Sequence, residues 1–203
     1  MTPLEVLDWR RCVSGMYATV RAIPDPQQAW RYWQDRRAEL VATHPASMIA
    51  PADRRRFPGI HLFDHDPALR FAVETEPAEG KAESYQLGSD GALTVSPALR
   101  TAGLAGTLGL ELTIYRLHGY GGGLFLPFRD ATSGTETYGG GRYLLDTIKG
   151  ADLGQDGPGR LVLDFNFAYF PSCAHSDAYV CPLSPPENAL SVPVRAGERW
   201  PVT

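Results

Sequence analysis

The densest collection of reactive side chains in this sequence lies between two glycine triplets. Gly121-Gly122-Gly123 opens the stretch and Gly139-Gly140-Gly141 closes it, with Arg129, Asp130, Thr132, Ser133, Thr135, Glu136 and Tyr138 between them and Arg142 just beyond. Glycine costs backbone entropy and packs nothing, so such triplets mark tight turns or a backbone that something approaches closely. Two guanidinium groups beside hydroxyls suit bidentate recognition of a carboxylate or phosphate. Successive glycine N–H groups could add an anion-binding nest. The competing reading is an internal ion-pair network, Arg142 with Asp164 and Arg129 with Glu136, because a partly buried arginine needs a partner. The glycines match neither a P-loop, which ends in Gly-Lys-Ser/Thr, nor a dinucleotide fingerprint.

Two further groups follow. On an extended strand, Asp164 and Asn166 share one face while Leu163, Phe165 and Phe167 take the other, and Tyr169 lies nearby. Together with the glycine-bracketed run, this defines an expected ligand site of Arg129, Thr135, Tyr138, Arg142, Asp164, Asn166 and Tyr169. Asp130, Glu136 and Glu187 are the carboxylates available for acid–base work. Cys173, His175 and Cys181 form the other group. It reads as a pair of neighbouring reduced thiols, a disulfide closing a short loop, or three zinc ligands at a spacing that matches no standard knuckle. Cys173 with His175 as its base would be a nucleophile only if loop geometry brought them together. No metal is assigned to the site, and the cofactor is left open. A flavin phosphate would want the Arg and Thr/Ser donors seen here, but the pattern is too general to claim one.

Composition limits what these groups can serve. The chain has 203 residues, 43% hydrophobic and 21% charged, with a formal net charge of −4. That is ordinary for a globular protein and gives no electrostatic footprint for nucleic acid. No apolar run approaches the ~20 residues of a membrane span. The first residues lack the basic segment and hydrophobic core of a signal peptide, so a cytoplasmic protein with reduced thiols is expected.

The elements that must position these residues change character along the chain. Thr2-Pro3-Leu4-Glu5 reads as a capping box, and Val6, Trp9, Val13, Tyr17 and Val20 follow it at helical spacing. Asp25-Pro26-Gln27-Gln28 opens a second helix. Its stripe of Trp30, Trp33, Leu40 and Val41 is interrupted by one arginine, Arg37, and Pro45 ends it. A helical turn is expected near residues 52–57. After Leu69 the period becomes two. Strands are predicted at Leu69–Thr75, Ala92–Val95, Leu108–Tyr115, Leu124–Phe128, Arg142–Leu145, Leu161–Phe167 and Ser191–Val194, with a hairpin tip at Gly88-Ser89-Asp90-Gly91. No strong helix separates them. The expected fold is therefore α+β and β-dominated, a mainly antiparallel barrel or sandwich with N-terminal helices. Residues 1–24 form a helical extension whose apolar stripe could pack on the domain or on a second copy in a homodimer. Residues 25–203 form a single β-rich domain with a leading helix. Pro182, Pro185 and Pro186 make residues 182–188 a stiff connector.

Taken in order, Phe128-Arg129-Asp130-Ala131-Thr132-Ser133-Gly134, Thr135-Glu136-Thr137-Tyr138, Gly141-Arg142-Tyr143, Leu163-Asp164-Phe165-Asn166, Pro171-Ser172-Cys173-Ala174, Cys181-Pro182-Leu183, Pro185-Pro186-Glu187-Asn188 and Ala196-Gly197-Glu198 form one long pattern. It resembles the bacterial family called domain of unknown function 1684, over about residues 28 to 199. The resemblance implies a soluble, single-domain bacterial protein and brings no activity with it. The functional expectation is a small-molecule binding protein or enzyme with an anionic ligand, sited at residues 121–143 and 164–169. The alternative is a structural or protein-interaction module in which the polar run is internal scaffolding.

Overall fold

In the computed structural model, which describes residues 1–88 and 91–202, the chain starts with two antiparallel helices laid across a curled antiparallel sheet. Helix α1 (Pro3–Ala22) carries the expected reciprocal cap: Thr2 accepts from the Glu5 N–H and the Glu5 carboxylate accepts from the Thr2 N–H. Helix α2 (Pro26–Thr43) starts at Asp25, whose side chain accepts from the Gln28 N–H at 2.7 Å. It stops one residue before the Pro45 restriction would be felt. The helices face each other through Tyr17 and Trp33, the indole N–H donating to the Tyr17 hydroxyl at 3.1 Å.

The main sheet has seven strands. Along its path they run β7 (Arg142–Asp146), β6 (Gly123–Phe128), β5 (Thr113–Leu117), β4 (Ala92–Ala102), β2 (Arg70–Pro77) and β8 (Arg160–Asp164), and β3 (Glu83–Gln86) pairs with the first part of β4. Every pairing is antiparallel. The sheet curls into a half-barrel, so the fold is α+β and β-dominated. β4 accounts for part of the curl. Its early residues pair with β3 and its late ones with β2, and the register against β5 shifts between Pro97 and Leu99, where proline has no N–H to give the ladder. A separate two-stranded ribbon joins β1 (His61–Leu62) to β9 (Glu198–Arg199).

The sheet buries apolar side chains on both faces. The concave face meets the helices through Val13, Met16, Tyr17, Trp33, Leu117, Phe125 and Tyr143. The opposite face packs Leu112, Ile114, Leu126, Phe128, Leu163 and Phe165 under the segment containing Leu190, Val194 and Ala196.

Three strand expectations are corrected by this arrangement. Leu108–Tyr115 is not one strand. Ala105–Leu108 is a helical turn, α3, ended by Gly109 at φ 86°, and the strand starts at Thr113. The reason is Glu111, whose carboxylate folds back to accept from the N–H groups of Gly103, Leu104 and Ala105 and from the Thr101 hydroxyl. The Leu161–Phe167 strand stops at Asp164, because that side chain accepts from the Asn166 N–H and caps a 3₁₀ turn at Phe165–Phe167. Ser191–Val194 is an irregular cover segment instead of a strand, held by Asp130 and Arg142. Residues 51–56 form turns, as expected. The hairpin between β3 and β4 closes with Leu87 N–H on the Gly91 carbonyl, while Ser89 and Asp90 of the expected tip lie outside the described residues.

Candidate functional site

The residues of the glycine-bracketed run are wired to the protein itself. Arg142 is 1% exposed. One terminal nitrogen, Nη2, donates to Asp130 Oδ2 and to the Val194 carbonyl, each at 2.8 Å, and Nη1 donates to the carbonyls of Ala196 and Glu198. Asp130 is satisfied in turn by the Thr132 N–H at 2.8 Å, the Thr132 hydroxyl at 2.7 Å and the Val194 N–H at 3.1 Å. Burial pulls the Arg142 pKa down and Asp130 pushes it back. The last glycine of the second triplet has a packing reason: Gly141 sits at φ 94°, where a Cβ would collide with the Phe128 carbonyl.

The ion pairs suggested by the sequence are re-partnered. Arg142 pairs with Asp130, Asp164 with Arg70 at 3.5 Å, and Glu136 with Arg195 at 2.8 Å. Arg129 points outward, while its backbone bonds to Asn188 and Leu190. Thr135 is exposed and donates to the Thr132 carbonyl. Asn166 clamps Asp66 through both its amide oxygen and its amide nitrogen, each at 2.8 Å, and also donates to Asp164. Tyr138 is half-buried, its hydroxyl 3.7 Å from the Cys173 sulfur. Of the seven residues expected to converge, the structure brings only Tyr169 into the cavity beneath α1, and Arg129 and Arg142 do not share a recess. The physical reason is that Asp164 ends its strand and the nearby carbonyls of residues 194–198 claim the Arg142 guanidinium.

The helix-walled cavity lies between α1, α2 and the concave face of the sheet, with a volume of about 430 Å³. Trp9, Val13 and Met16 of α1 form one wall, and Leu93, Leu117 and Phe125 of the sheet form the other. Polar atoms gather at one end. Tyr169 is pinned to the edge of β7 by reciprocal backbone bonds with Tyr143 at 2.9 and 3.0 Å. Arg37 reaches in from α2, its Nε donating to Glu198 and its guanidinium lying 4.7 Å over the Tyr169 ring. The other Glu198 oxygen accepts from the Phe170 N–H at 2.6 Å. Two atoms at this end, Arg37 Nη2 and the Tyr169 hydroxyl, are buried and have no hydrogen-bond partner among the described residues. Burial lowers the Arg37 pKa, but the Glu198 carboxylate more than offsets it, so the guanidinium stays charged. Burial also holds Tyr169 and Tyr143 well above the ordinary phenol range, and raises Tyr17 despite the pull of Arg37. These phenols are therefore protonated donors. Arg10, Arg37 and Lys149 line the cavity against a single carboxylate, Asp146, which pairs with Lys149 at 2.9 Å.

Sequence reasoning named Tyr169 but not Arg37. The available signal was the arginine interrupting the apolar stripe of α2, at a position that faces the core.

A second recess, open and polar, is lined by Asp53, Arg56, Cys173, His175 and Asp177. Burial lowers the His175 pKa and favours the neutral ring. Asp8, Cys12 and His44 bring three ligand-type atoms within 4.8 Å of one another. His44 Nδ1, however, accepts from the Ala46 N–H, so the ring proton sits on Nε2 and faces Asp8 at 3.2 Å. That is a clasp between α1 and the end of α2, not a nitrogen free to take a cation. Cys173, Cys181 and Cys12 are unlinked.

A model of the family described as "Protein of unknown function (DUF1684)" matches residues 55–199. The chain belongs to that family. Among solved structures, this DUF1684 chain is similar to the solution NMR structure of the uncharacterized protein from gene locus rrnAC0354 of Haloarcula marismortui. The two are 30% identical, the match covers 86% of this chain and 94% of the other, and the TM-score is 0.57. No curated protein matches. The part matched by the DUF1684 model includes the wired run, Tyr169 and Glu198, whereas Arg37 and the α1 wall precede it. Among the described residues no helix is long and apolar enough to cross a membrane.

Proposed function

We propose that this DUF1684 chain is a bacterial cytoplasmic protein that binds a small amphipathic molecule, an apolar body with an anionic head, in the cavity under α1. The observation that carries the reading is the pair of buried donors unpartnered among the described residues, Arg37 Nη2 and the Tyr169 hydroxyl, in a cavity walled mostly by apolar side chains. Buried polar atoms are rarely left unsatisfied, and both of these can donate to one carboxylate or phosphate oxygen pair. The wall of Trp9, Val13, Leu117 and Phe125 suits the apolar part. Glu198 offsets much of the Arg37 charge, so the head group is held by directed hydrogen bonds more than by net charge. This reading keeps the expected ligand class and moves its location from residues 121–143 and 164–169 to the cavity beside Arg37 and Tyr169.

The test is displacement of a fluorescent anionic amphiphile by medium-chain carboxylates, with matched alcohols as controls. Carboxylates should compete and alcohols should not. Tyr169→Phe should weaken binding about threefold to tenfold, and Val13→Trp should abolish it by filling the cavity. Equal competition by alcohols would sink the anionic part of the reading, and unchanged binding in Val13→Trp would sink the location.

A second reading is favoured by exposed apolar side chains near the cavity mouth, Met1, Ile148 and Val180. In that reading the face is an interaction surface, and Val13→Trp should leave complex formation intact while Val180→Glu breaks it.

A further inference from the structure

Cys173 and Cys181 meet where the two recesses approach each other. Cys181 lines the helix-walled cavity and Cys173 lines the polar recess. The Cys173 backbone N–H donates to the Cys181 sulfur at 3.4 Å. Lys149 adds positive charge from the turn after β7. The Tyr143 hydroxyl donates at 2.6 Å to the carbonyl of Pro182, the residue after Cys181, and the Tyr138 hydroxyl lies 3.7 Å from the Cys173 sulfur. An inert pair of packed thiols would be surrounded by apolar atoms. Here a backbone N–H is aimed at one sulfur, a lysine adds positive charge near it, and that sulfur opens on a cavity.

We propose that Cys181 is an oxidisable thiolate facing the cavity and that Cys173 is its resolving thiol, with hydroperoxides as the oxidant. The thiolate attacks one peroxide oxygen and the O–O bond breaks. The other oxygen takes a proton and leaves as water or an alcohol, and Cys181 becomes a sulfenic acid. The Cys173 sulfur then attacks the Cys181 sulfur, the S–O bond breaks, and water leaves with the Cys173 proton. The two thiols have given two electrons to one peroxide, and a disulfide remains. An external thiol returns the pair to its starting state by exchange.

The electrostatics agree with the geometry. The neighbouring Cys173 lowers the Cys181 pKa to about 6 despite burial, and Cys181 in turn raises that of Cys173. The groups around the pair are Tyr143 and Lys149 on the β7 side, with Asp146 behind Lys149, and Tyr138 with its hydroxyl 3.7 Å from Cys173. Asp177 lies near Tyr138. The proposal does not require the cavity to hold a ligand, so it stands or falls separately from the binding reading.

The experiment treats the full chain with hydrogen peroxide at neutral pH and maps the product by alkylation and mass spectrometry. A disulfide joining Cys173 to Cys181 should form, with Cys12 still open to alkylation. In Cys173→Ser the product should become a sulfenic acid on Cys181, trapped by a cyclic 1,3-dione. Before oxidation, Cys181 should be alkylated about tenfold faster than Cys12 at neutral pH, with half its maximal rate retained near pH 6. Oxidation of Cys12 as fast as Cys181, or alkylation of Cys173 ahead of Cys181, would overturn the assignment and leave the two as packing thiols. If Cys173→Ser does not fold, the wild-type map still decides, since it reports which sulfurs are joined.

Discussion

The glycine-bracketed run and the helix-walled cavity are opposites in how they treat buried charge. In the run, Arg142 and Asp130 are each bonded several times, and of the Arg142 nitrogens Nε alone is without a partner among the described residues. In the cavity, Arg37 is paired on one side only, and Tyr169 leaves its hydroxyl unbonded. The run is rich in polar residues and looks like a site, yet its buried charges are bonded between β7 and the segment of residues 194–198. The cavity end has few polar residues, and those it has are incompletely used. On the binding reading proposed above, dense polar side chains mark interior scaffolding here, and unspent donors beside empty space mark where a ligand would be recognised.

That contrast can be broken most directly at Arg142. Arg142→Met should cost about 3–5 kcal/mol, because it strands the buried Asp130 carboxylate together with three backbone carbonyls. Urea unfolding measures this, and a variant as stable as the wild type would remove the scaffolding reading. Arg37→Met should cost about 3 kcal/mol for the parallel reason, leaving Glu198 buried without its cation. The two sites should differ in rescue. Arg37→Met with Glu198→Gln should recover much of the melting temperature while remaining unable to hold the anionic amphiphile. Recovery of binding along with stability would show that Arg37 is scaffold as well.

Tyr169→Phe sharpens the comparison further, since it removes an unbonded buried hydroxyl. Stability should rise by about 1 kcal/mol while affinity falls. A loss of stability would mean that the hydroxyl has a structural partner.

The smallest effect concerns Asp164. Burial raises its pKa, and the hydrogen bonds from Asn166 and the Arg70 charge only partly offset this. With a raised folded-state pKa, the native form binds more protons than the unfolded chain as pH passes above the ordinary value of 3.8. Stability is therefore lost as pH rises through that window and gained as it falls. Asp164→Asn should be slightly more stable than the wild type at neutral pH and should lack this slope. Equal slopes in acid titration of the two proteins would refute it.

The sequence was most legible where local chemistry decides structure. Thr2 and Glu5 announce α1, Asp25 and Pro26 announce α2, and the alternation at Phe71 and Val73 announces β2. It misled where one side chain bonded to nearby backbone, Glu111 reaching back to residues 103–105 and Asp164 forward to Asn166. Glu111 and Asp164 each cap a turn inside what the period-two pattern presents as continuous strand. Strands β1 and β9 have two residues each, too short for any periodicity. At the site, Tyr169 was readable, but Arg37 registered only as a flaw in a stripe, because its partner Glu198 is 161 positions away. The choice of Asp130 over Asp164 by Arg142 is likewise set by topology, which no local pattern encodes.

Glu198 ties the two regions together: its carboxylate takes the Arg37 guanidinium and its backbone carbonyl takes that of Arg142. Synthesis runs from the N-terminus, so a ribosome exposes both arginines well before it delivers this residue. Until residue 198 leaves the exit tunnel, neither guanidinium can be sealed from water, and the helices and the sheet cannot close on each other completely. Completion of the interior is thereby timed to the emergence of one late carboxylate, and a nascent chain stalled short of it would be an open target for chaperones and proteases.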